Sequence, residues 1–182
     1  MKKFKFNFRN IFLCFMLYCF VGWIYETVLE VFIYGWGFSN RGVLFGPYLP
    51  VYGFGALLFI LVFNKSLKEL KPVEKVFMIP TVFITCLLVA TGVELITSYI
   101  CEFFIGSFPW NYDRFMFNFQ GRIAPNPSIR FGIGSIIILY IIEPIFEKMV
   151  RKTNDKTLNL IFIITFIFIT KDLFHKIISI IC

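Results

Sequence analysis

Several glutamates lie inside apolar stretches that are long enough to cross a membrane, and four of them occur as two pairs, in the first and third of these stretches. Glu26 and Glu30 are four residues apart, so both project from one face of a helix. Glu94 and Glu102 lie in a later apolar stretch, again nearly on one face. A carboxylate is costly inside a bilayer and by default marks a functional position. These glutamates are therefore the first candidates for an ion or substrate pathway, where a carboxylate binds a proton or a cation.

Glu26 and Glu94 lie at similar depths in their apolar stretches. Counted from the start of its own stretch, Glu26 lies roughly 24 Å along a helix and Glu94 roughly 27 Å. The alternative is a packing role, in which the glutamates pair with outer arginines (Arg41, Arg122 and Arg130). Glu30 and Glu102 have a further alternative, a wet position at the interface. A charge buried only for packing is inefficient, so we favour function for Glu26 and Glu94.

A glycine- and proline-rich stretch runs from Asn40 to Gly55. Its prolines remove backbone donors and its glycines weaken a helix, yet it is too apolar for an ordinary solvated loop. A weaker echo lies 79 positions later, between Gln120 and Gly134. The echo places Gly42, Gly53, Gly55, Leu44 and Tyr52 on Gly121, Gly132, Gly134, Ile123 and Phe131. We predict that the two stretches are halves of one site, in which Asn40 and Arg41 contact the substrate and Arg41 is the counter-ion of the carboxylates.

The composition is that of an integral membrane protein. The chain is 58% hydrophobic and 16% charged, whereas soluble domains carry roughly 25% charged residues. A span needs about 20 apolar residues, and this rule predicts an all-α fold with five transmembrane helices. The predicted spans are 10–34, 51–63, 76–104, 129–149 and 158–181. The second is short unless part of the glycine-rich stretch before it also lies at membrane depth.

Most of the 18 basic residues lie in segments on one side of the predicted spans. Those segments hold Lys2, Lys3, Lys5, Arg9, Lys65, Lys68, Lys71, Lys75, Lys148, Arg151, Lys152 and Lys156. The distribution predicts a cytoplasmic N-terminus and an outer C-terminus, and it accounts for the net charge of +7 without a nucleic-acid partner. The first apolar run has no small-residue cleavage site, so we read it as a retained helix and not as a removed signal peptide.

Both glycine-rich stretches then lie on the outer face as re-entrant segments. A helix, an outer segment and a returning helix occur twice in the chain, which predicts a parallel repeat. Its halves are residues 10–64 and 76–150, and the helix 158–181 belongs to neither half. All of these elements form one transmembrane domain, residues 1–182. The alternative is chance similarity, because a few shared glycines arise easily in such sequence.

The outer loop 106–126 combines aromatic residues with amides. Trp110 and the neighbouring aromatic rings are typical of residues at a membrane–water interface. An interfacial position does not explain the side-chain amides of this loop, among them Asn118. We therefore add Trp110, Asn118 and Arg122 to the candidate site. Glu143, beside the helix-kinking Pro144, is a secondary candidate.

Other polar and sulfur groups indicate no chemistry. The charged residues of the last span (Lys171, Asp172, His175 and Lys176) are explained by local pairing and by lysine side chains reaching the surface, so we expect no site there. The scattered cysteines are expected to be small buried hydrophobes, and we predict neither a metal site nor a cofactor.

Two sets of residues resemble the type IV ABC-transporter permease family (CmpB-like). The first set is Gly22-Trp23-Ile24-Tyr25-Glu26, Asn40-Arg41-Gly42, Leu44, Gly46-Pro47, Pro50 and Tyr52-Gly53; the second is Glu94, Glu102, Trp110-Asn111-Tyr112, Asn118, Gly121, Ile123, Ser128 and Gly132. The family pattern has Asp at position 111 and Trp at position 131, where this chain has Asn111 and Phe131. The resemblance implies a small permease-like protein in a bacterial cell membrane, a homodimer, and an ATPase supplied by another chain.

Three functions fit these observations. The first is a transporter component whose glutamates and glycine-rich segments line the path of a small or ionic substrate. The second is an outer-leaflet lipid-headgroup binder or membrane enzyme, and the third is a non-catalytic assembly protein. The chain has no phosphate-binding loop of the G-x-x-x-x-G-K-[ST] type, so we expect no nucleotide hydrolysis by this chain.

Overall fold

The computed structural model describes most of the chain. The described residues are 7–35, 37–40, 42, 44–108 and 110–181. Seven α-helices occur among them: α1 (Phe8–Val28), α2 (Pro50–Glu69), α3 (Pro72–Phe77), α4 (Ile79–Ile105), α5 (Pro125–Ile137), α6 (Glu143–Lys152) and α7 (Asp155–Ile181). The described part of the chain contains no β-strand, which confirms the all-α prediction.

Five stretches of helix are long and apolar enough to cross a membrane, as predicted. They are Phe8–Ile33, Pro50–Glu69, Pro72–Phe104, Pro125–Lys152 and Asp155–Ser179. The first begins at an N-cap, because the Asn7 side chain accepts a hydrogen bond from the backbone N–H of Asn10. The spans therefore define the fold as a polytopic membrane protein.

The second span is longer than the sequence pattern predicts. The predicted span ends at Phe63, whereas α2 continues to Glu69 and contains 20 residues. The added turns carry polar side chains, among them the exposed Lys65 and Lys68. Lysine stems lie along apolar surface while the ammonium reaches water, so a helix can end in such residues at a membrane boundary. The span reaches full length because α2 continues at its C-terminal end, and it also includes the last residues of the glycine-rich stretch, Pro50 to Gly55.

The fourth span is interrupted just before Pro144. Residues Ile138–Ile142 form a π-helical turn between α5 and α6. Proline lacks an N–H and its ring clashes with the carbonyl four residues earlier, which here belongs to Tyr140. In a π-helical turn the hydrogen bonds join residues five apart, so the Tyr140 carbonyl need not bond to the residue four positions later as in an α-helix. The helix distortion that the sequence predicts at Pro144 is thus a π-helical turn on the N-terminal side of the proline.

The chain divides into two compact units, residues 1–58 with 144–182 and residues 59–143. In the first unit, α1 packs against α7 through an aromatic ladder. The Phe12 ring lies 5.2 Å from the Phe162 ring and 5.5 Å from the Phe166 ring. At the start of α1, Arg9 forms an ion pair of 3.0 Å with Asp155. These contacts join the two ends of the chain into one unit.

Glycines allow α1 and α2 to approach closely in the first unit. A Cβ atom on Gly22 would overlap the Tyr52 side chain, and a Cβ atom on Gly53 would lie 2.6 Å from Cys19 Sγ and 2.6 Å from the Phe15 ring. Small residues at helix interfaces let backbones come together where apolar burial gives no driving force. Gly22 and Gly53 are therefore required by packing.

In the second unit, a glycine likewise allows α4 and α5 to approach closely. A Cβ atom on Gly132 would lie 2.6 Å from the Phe83 ring. One turn further along α4, Cys86 is fully buried, as Cys14 and Cys19 are in the first unit. The expectation that the cysteines are small buried hydrophobes is met at these three positions but not at Cys101, which is half-buried, and Cys182 lies outside the described residues.

The close approaches predict which glycines tolerate a methyl group. Gly22→Ala and Gly132→Ala should each lower the free energy of unfolding by about 1–3 kcal/mol, because the added atom overlaps a ring. The matched controls are Gly55→Ala and Gly134→Ala, where nothing lies within 4 Å of the added atom. Thermal unfolding in detergent measures all four. Equal losses in the two pairs would contradict glycine-mediated packing.

Candidate functional site

Glu26 accepts a hydrogen bond from the Tyr52 hydroxyl in the first unit. Glu26 lies near the end of α1 and Tyr52 in the first turn of α2, so the bond ties the two helices where the glycine-rich stretch enters α2. The Tyr52 ring packs over Gly22 and lies 6.1 Å from the Tyr25 ring. The carboxylate is therefore partly shielded and held by a phenol that sequence reasoning did not assign to the site.

Glu30 is buried, with 3% of its surface exposed. The Ser39 hydroxyl donates to its two carboxylate oxygens at 3.0 and 3.2 Å. Glu30 lies in the π-helical turn Leu29–Ile33, after which the chain turns back to bring Ser39 to it. The interfacial, wet position considered for this residue is wrong, because the returning segment covers the carboxylate.

Asn40 organises the glycine-rich stretch. Its side-chain oxygen accepts from Trp23 Nε1 at 2.8 Å, and its amide donates to the Phe45 carbonyl at 2.7 Å. Asn40 thus connects α1 to the stretch that follows it. Arg41, predicted to be the counter-ion of the glutamates, lies outside the described residues.

Asp172 of α7 holds the same stretch from the other side. It accepts from the backbone N–H of Phe45 at 3.2 Å, from that of Gly46 at 2.8 Å, and from the Tyr48 hydroxyl. Burial, together with the neighbouring carboxylate, raises the pKa of Tyr48 above its usual range, so its hydroxyl remains a donor. Local pairing within α7, which the sequence predicts for Asp172, does not account for these three contacts. A carboxylate in an otherwise apolar helix is the sequence signal that identifies such a residue.

Glu94 is the corresponding carboxylate of the second unit. It accepts a hydrogen bond of 2.7 Å from the Tyr112 hydroxyl. Tyr112 belongs to the loop after α4, and its backbone N–H donates to the Gly121 carbonyl at 2.8 Å. The loop therefore presents a phenol to a glutamate on the helix below it.

Arg122 lies at the centre of that loop and is 6% exposed. Its guanidinium donates to Glu102 at 2.5 Å and to the Ser98 hydroxyl at 3.2 Å. The guanidinium carbon lies 4.2 Å from the centre of the Tyr99 ring and 4.6 Å from that of Phe108. Both alternatives considered for Glu102 fit its surroundings, because its carboxylate pairs with an arginine and its side chain is 48% exposed.

Trp110 and Asn118 build the loop that holds Arg122. Trp110 Nε1 donates to the Arg122 carbonyl at 2.8 Å. The Asn118 amide donates to the carbonyls of Asp113 and Phe115, and its oxygen accepts from Gly121 N–H at 2.9 Å. The Asn118 side chain, which an interfacial aromatic cluster does not explain, thus forms hydrogen bonds to the backbone of its own loop.

Two further carboxylates are buried in α6. Glu143 and Glu147, one turn apart, are 1% and 2% exposed, and Glu147 lies 3.5 Å from Arg151. Within the described ranges, no group of three or more histidine, cysteine, aspartate or glutamate side chains could hold a metal ion.

A carboxylate can exchange a proton or hold a cation, and Glu26 and Glu94 are partly shielded carboxylates that each lie beside a phenol. Glu26 and Glu94 accept hydrogen bonds from tyrosine hydroxyls, whereas Glu102 pairs with Arg122. That the two glycine-rich stretches form a single site stays a prediction.

Comparison with known families adds one match. Residues 13–177 match the family model described as "Putative ABC-transporter type IV". The chain belongs to this family. The match covers all five spans almost completely and agrees with the resemblance stated from the sequence motifs. No curated protein and no solved structure matches this ABC-transporter family member.

The surroundings of Arg122 predict a structural role in this family member. Arg122→Gln should lower the free energy of unfolding by about 1–3 kcal/mol, because a buried loop centre loses its charged hydrogen bonds and ring stacking. Arg122→Lys should recover only part of that loss, since an ammonium cannot reproduce the planar fork. Thermal unfolding in detergent is the measurement.

The control is Arg114→Gln in the same loop, where the arginine is exposed and lies 4.9 Å from the Phe115 ring. Its loss should stay below about 1 kcal/mol. Unchanged stability in Arg122→Gln would argue against this role.

Proposed function

We propose that this chain is the membrane component of a transporter, in which Glu26 and Glu94 bind a proton or cation during movement of a small or ionic substrate. The observation that carries the proposal is the same local arrangement in both units. Each has an apolar helix that bears a glutamate, and each glutamate accepts a hydrogen bond from a tyrosine hydroxyl.

The arrangement extends to the helix packing below each glutamate. Phe15 precedes Glu26 by eleven residues and packs against Gly53; Phe83 precedes Glu94 by eleven residues and packs against Gly132. Gly53 and Gly132 are also partners in the 79-residue echo. The correspondence supports a duplication with halves 10–64 and 76–150, because chance glycines have no reason to share both spacing and packing partner.

The phenol is supplied differently in the two halves. Tyr52 directly precedes Gly53, whereas Phe131, which has no hydroxyl, directly precedes Gly132. In the second half, Tyr112 of the preceding loop donates to the glutamate instead. A hydroxyl beside the carboxylate is thus retained although its position in the chain has changed, which supports a functional requirement for it.

The lipid-headgroup alternative places two arginines in its pocket, Arg41, which lies outside the described residues, and Arg122. Arg122 is engaged by Glu102, Ser98 and two aromatic rings, so an anionic headgroup would have to displace an ion pair to reach it. Trp110 and Asn118 are likewise committed to the loop. These contacts favour transport over headgroup recognition at this position.

Energy coupling in this proposal comes from a separate chain. ABC transporters use an ATPase, and this sequence has no phosphate-binding loop of the Walker type. We therefore propose a complex with an ATPase subunit in a cell membrane, with two copies of this chain.

The carboxylates can be tested directly. Glu26→Gln and Glu94→Gln should each reduce uptake of protons or sodium into vesicles at least tenfold, because an amide cannot bind either ion as a carboxylate does. Reconstituted protein is assayed with an entrapped pH dye and with radioactive sodium. Glu69→Gln is the control, since Glu69 is an exposed glutamate at the end of α2. Unchanged uptake in both test variants would exclude this mechanism.

The proposed orientation can also be tested. With a cytoplasmic N-terminus, Ser107→Cys should react with a membrane-impermeant thiol reagent in intact cells, and Asn154→Cys only after permeabilisation. Ser107 lies in the loop after α4 and Asn154 between α6 and α7. A Cys182→Ser background removes the terminal thiol. The reverse labelling pattern would invert the topology.

A further inference from the structure

A groove in the first unit is not used by the proposed function. It has a volume of about 870 Å³ and is bordered by α1, residues 45–48, α6 and α7. Its walls are mainly apolar side chains, including Leu13, Leu17, Phe146, Val150, Ile161 and Phe168. A pocket of this size can bury most of a ligand of several hundred daltons.

The charged side chains of the groove lining lie at one end. Lys171, Asp172 and His175 line that end, whereas the lining at the level of Leu158 is largely apolar. Thr165, halfway along, directs its hydroxyl to the Ile161 carbonyl of its own helix at 2.8 Å. A ligand in the groove would therefore meet an apolar wall for most of its length and polar groups at one end.

The polar end offers a positive charge. Asp172 already accepts three hydrogen bonds from Phe45, Gly46 and Tyr48, so its carboxylate is committed to the protein. The exposed Lys171 carries the positive charge among the lining residues. Lys176 lies nearby, with its ammonium 5.2 Å from the centre of the Phe45 ring. The ammonium groups of Lys171 and Lys176 outnumber the single Asp172 carboxylate, so this end has a net positive charge and complements an anion.

The length of the groove fits an acyl chain. From Leu158 to Lys171 the α7 backbone rises roughly 20 Å at 1.5 Å per residue. This exceeds half of the hydrocarbon thickness of about 30 Å, which is the depth that the acyl chain of a lipid in one leaflet occupies. An acyl chain that lies along α7 would keep its headgroup at the level of Lys171.

We propose that this groove binds an anionic phospholipid, with one acyl chain along α7 and the phosphate beside Lys171. Apolar walls, one cationic end and a length sufficient for an acyl chain together identify this ligand class. The site is separate from Glu26 and Glu94, and the proposal does not depend on transport.

Native mass spectrometry of the detergent-solubilised full chain tests the proposal. Wild type should retain phosphatidylglycerol in preference to phosphatidylcholine. Lys171→Gln should weaken phosphatidylglycerol binding about fivefold, as expected for one lysine near an anionic headgroup, and Lys171→Arg should restore it. Lys156→Gln, on the same helix but outside the groove lining, should leave binding unchanged.

A second set of variants tests the proposal by placing a larger side chain in the groove. Thr165→Phe should reduce phosphatidylglycerol binding at least tenfold, and Thr170→Phe, an exposed α7 position outside the lining, should not. Equal binding of the two lipids by wild type, or full binding by Thr165→Phe, would overturn the proposal. A dimer that Thr165→Phe converts to monomer with lipid binding intact would assign the groove to a second copy of this chain and overturn it as well.

Discussion

The cost of placing a carboxylate in an apolar helix is the constraint on which this structure depends. No water is available in the hydrocarbon layer, so each such group must be met by a donor from the protein. Tyr52 meets Glu26, Tyr112 meets Glu94, and Arg122 meets Glu102. Asp172 likewise collects three donors from the segment before α2. The polar contacts thus decide where the non-helical segments attach to the helices.

Two kinds of contact cooperate in each unit. Glycines bring the paired helices together, as Gly53 does against Phe15 and Gly132 against Phe83, and the glutamate of the first helix is then bonded to a phenol. Close packing supplies dispersion energy where burial of apolar surface gains little, while the hydrogen bond orients the end of the pair. The combination occurs twice, and this recurrence links the packing to the proposed role of Glu26 and Glu94.

The loop from Gly106 to Ala124 illustrates how a site residue is distinguished from its support. Trp110, Asn118 and Arg122 are polar or aromatic groups in an apolar protein, which makes each a reasonable candidate from sequence. Their hydrogen bonds lie mainly within the loop or to α4. The contacts therefore support a framework that presents Tyr112 to Glu94, and a residue type alone could not separate these roles.

The sequence by itself determined the class of protein, the number of spans and the polar positions within them, because hydrophobicity and helix length are local properties. The family also followed from local motifs. Tertiary structure decided which donor meets each carboxylate. Tyr52 lies 26 residues after Glu26, beyond most of the glycine-rich stretch, and Asp172 reaches Phe45 from the last helix. These pairings depend on which helices pack together and at what rotation. Helical periodicity gives each helix a face but does not identify the neighbour that this face contacts.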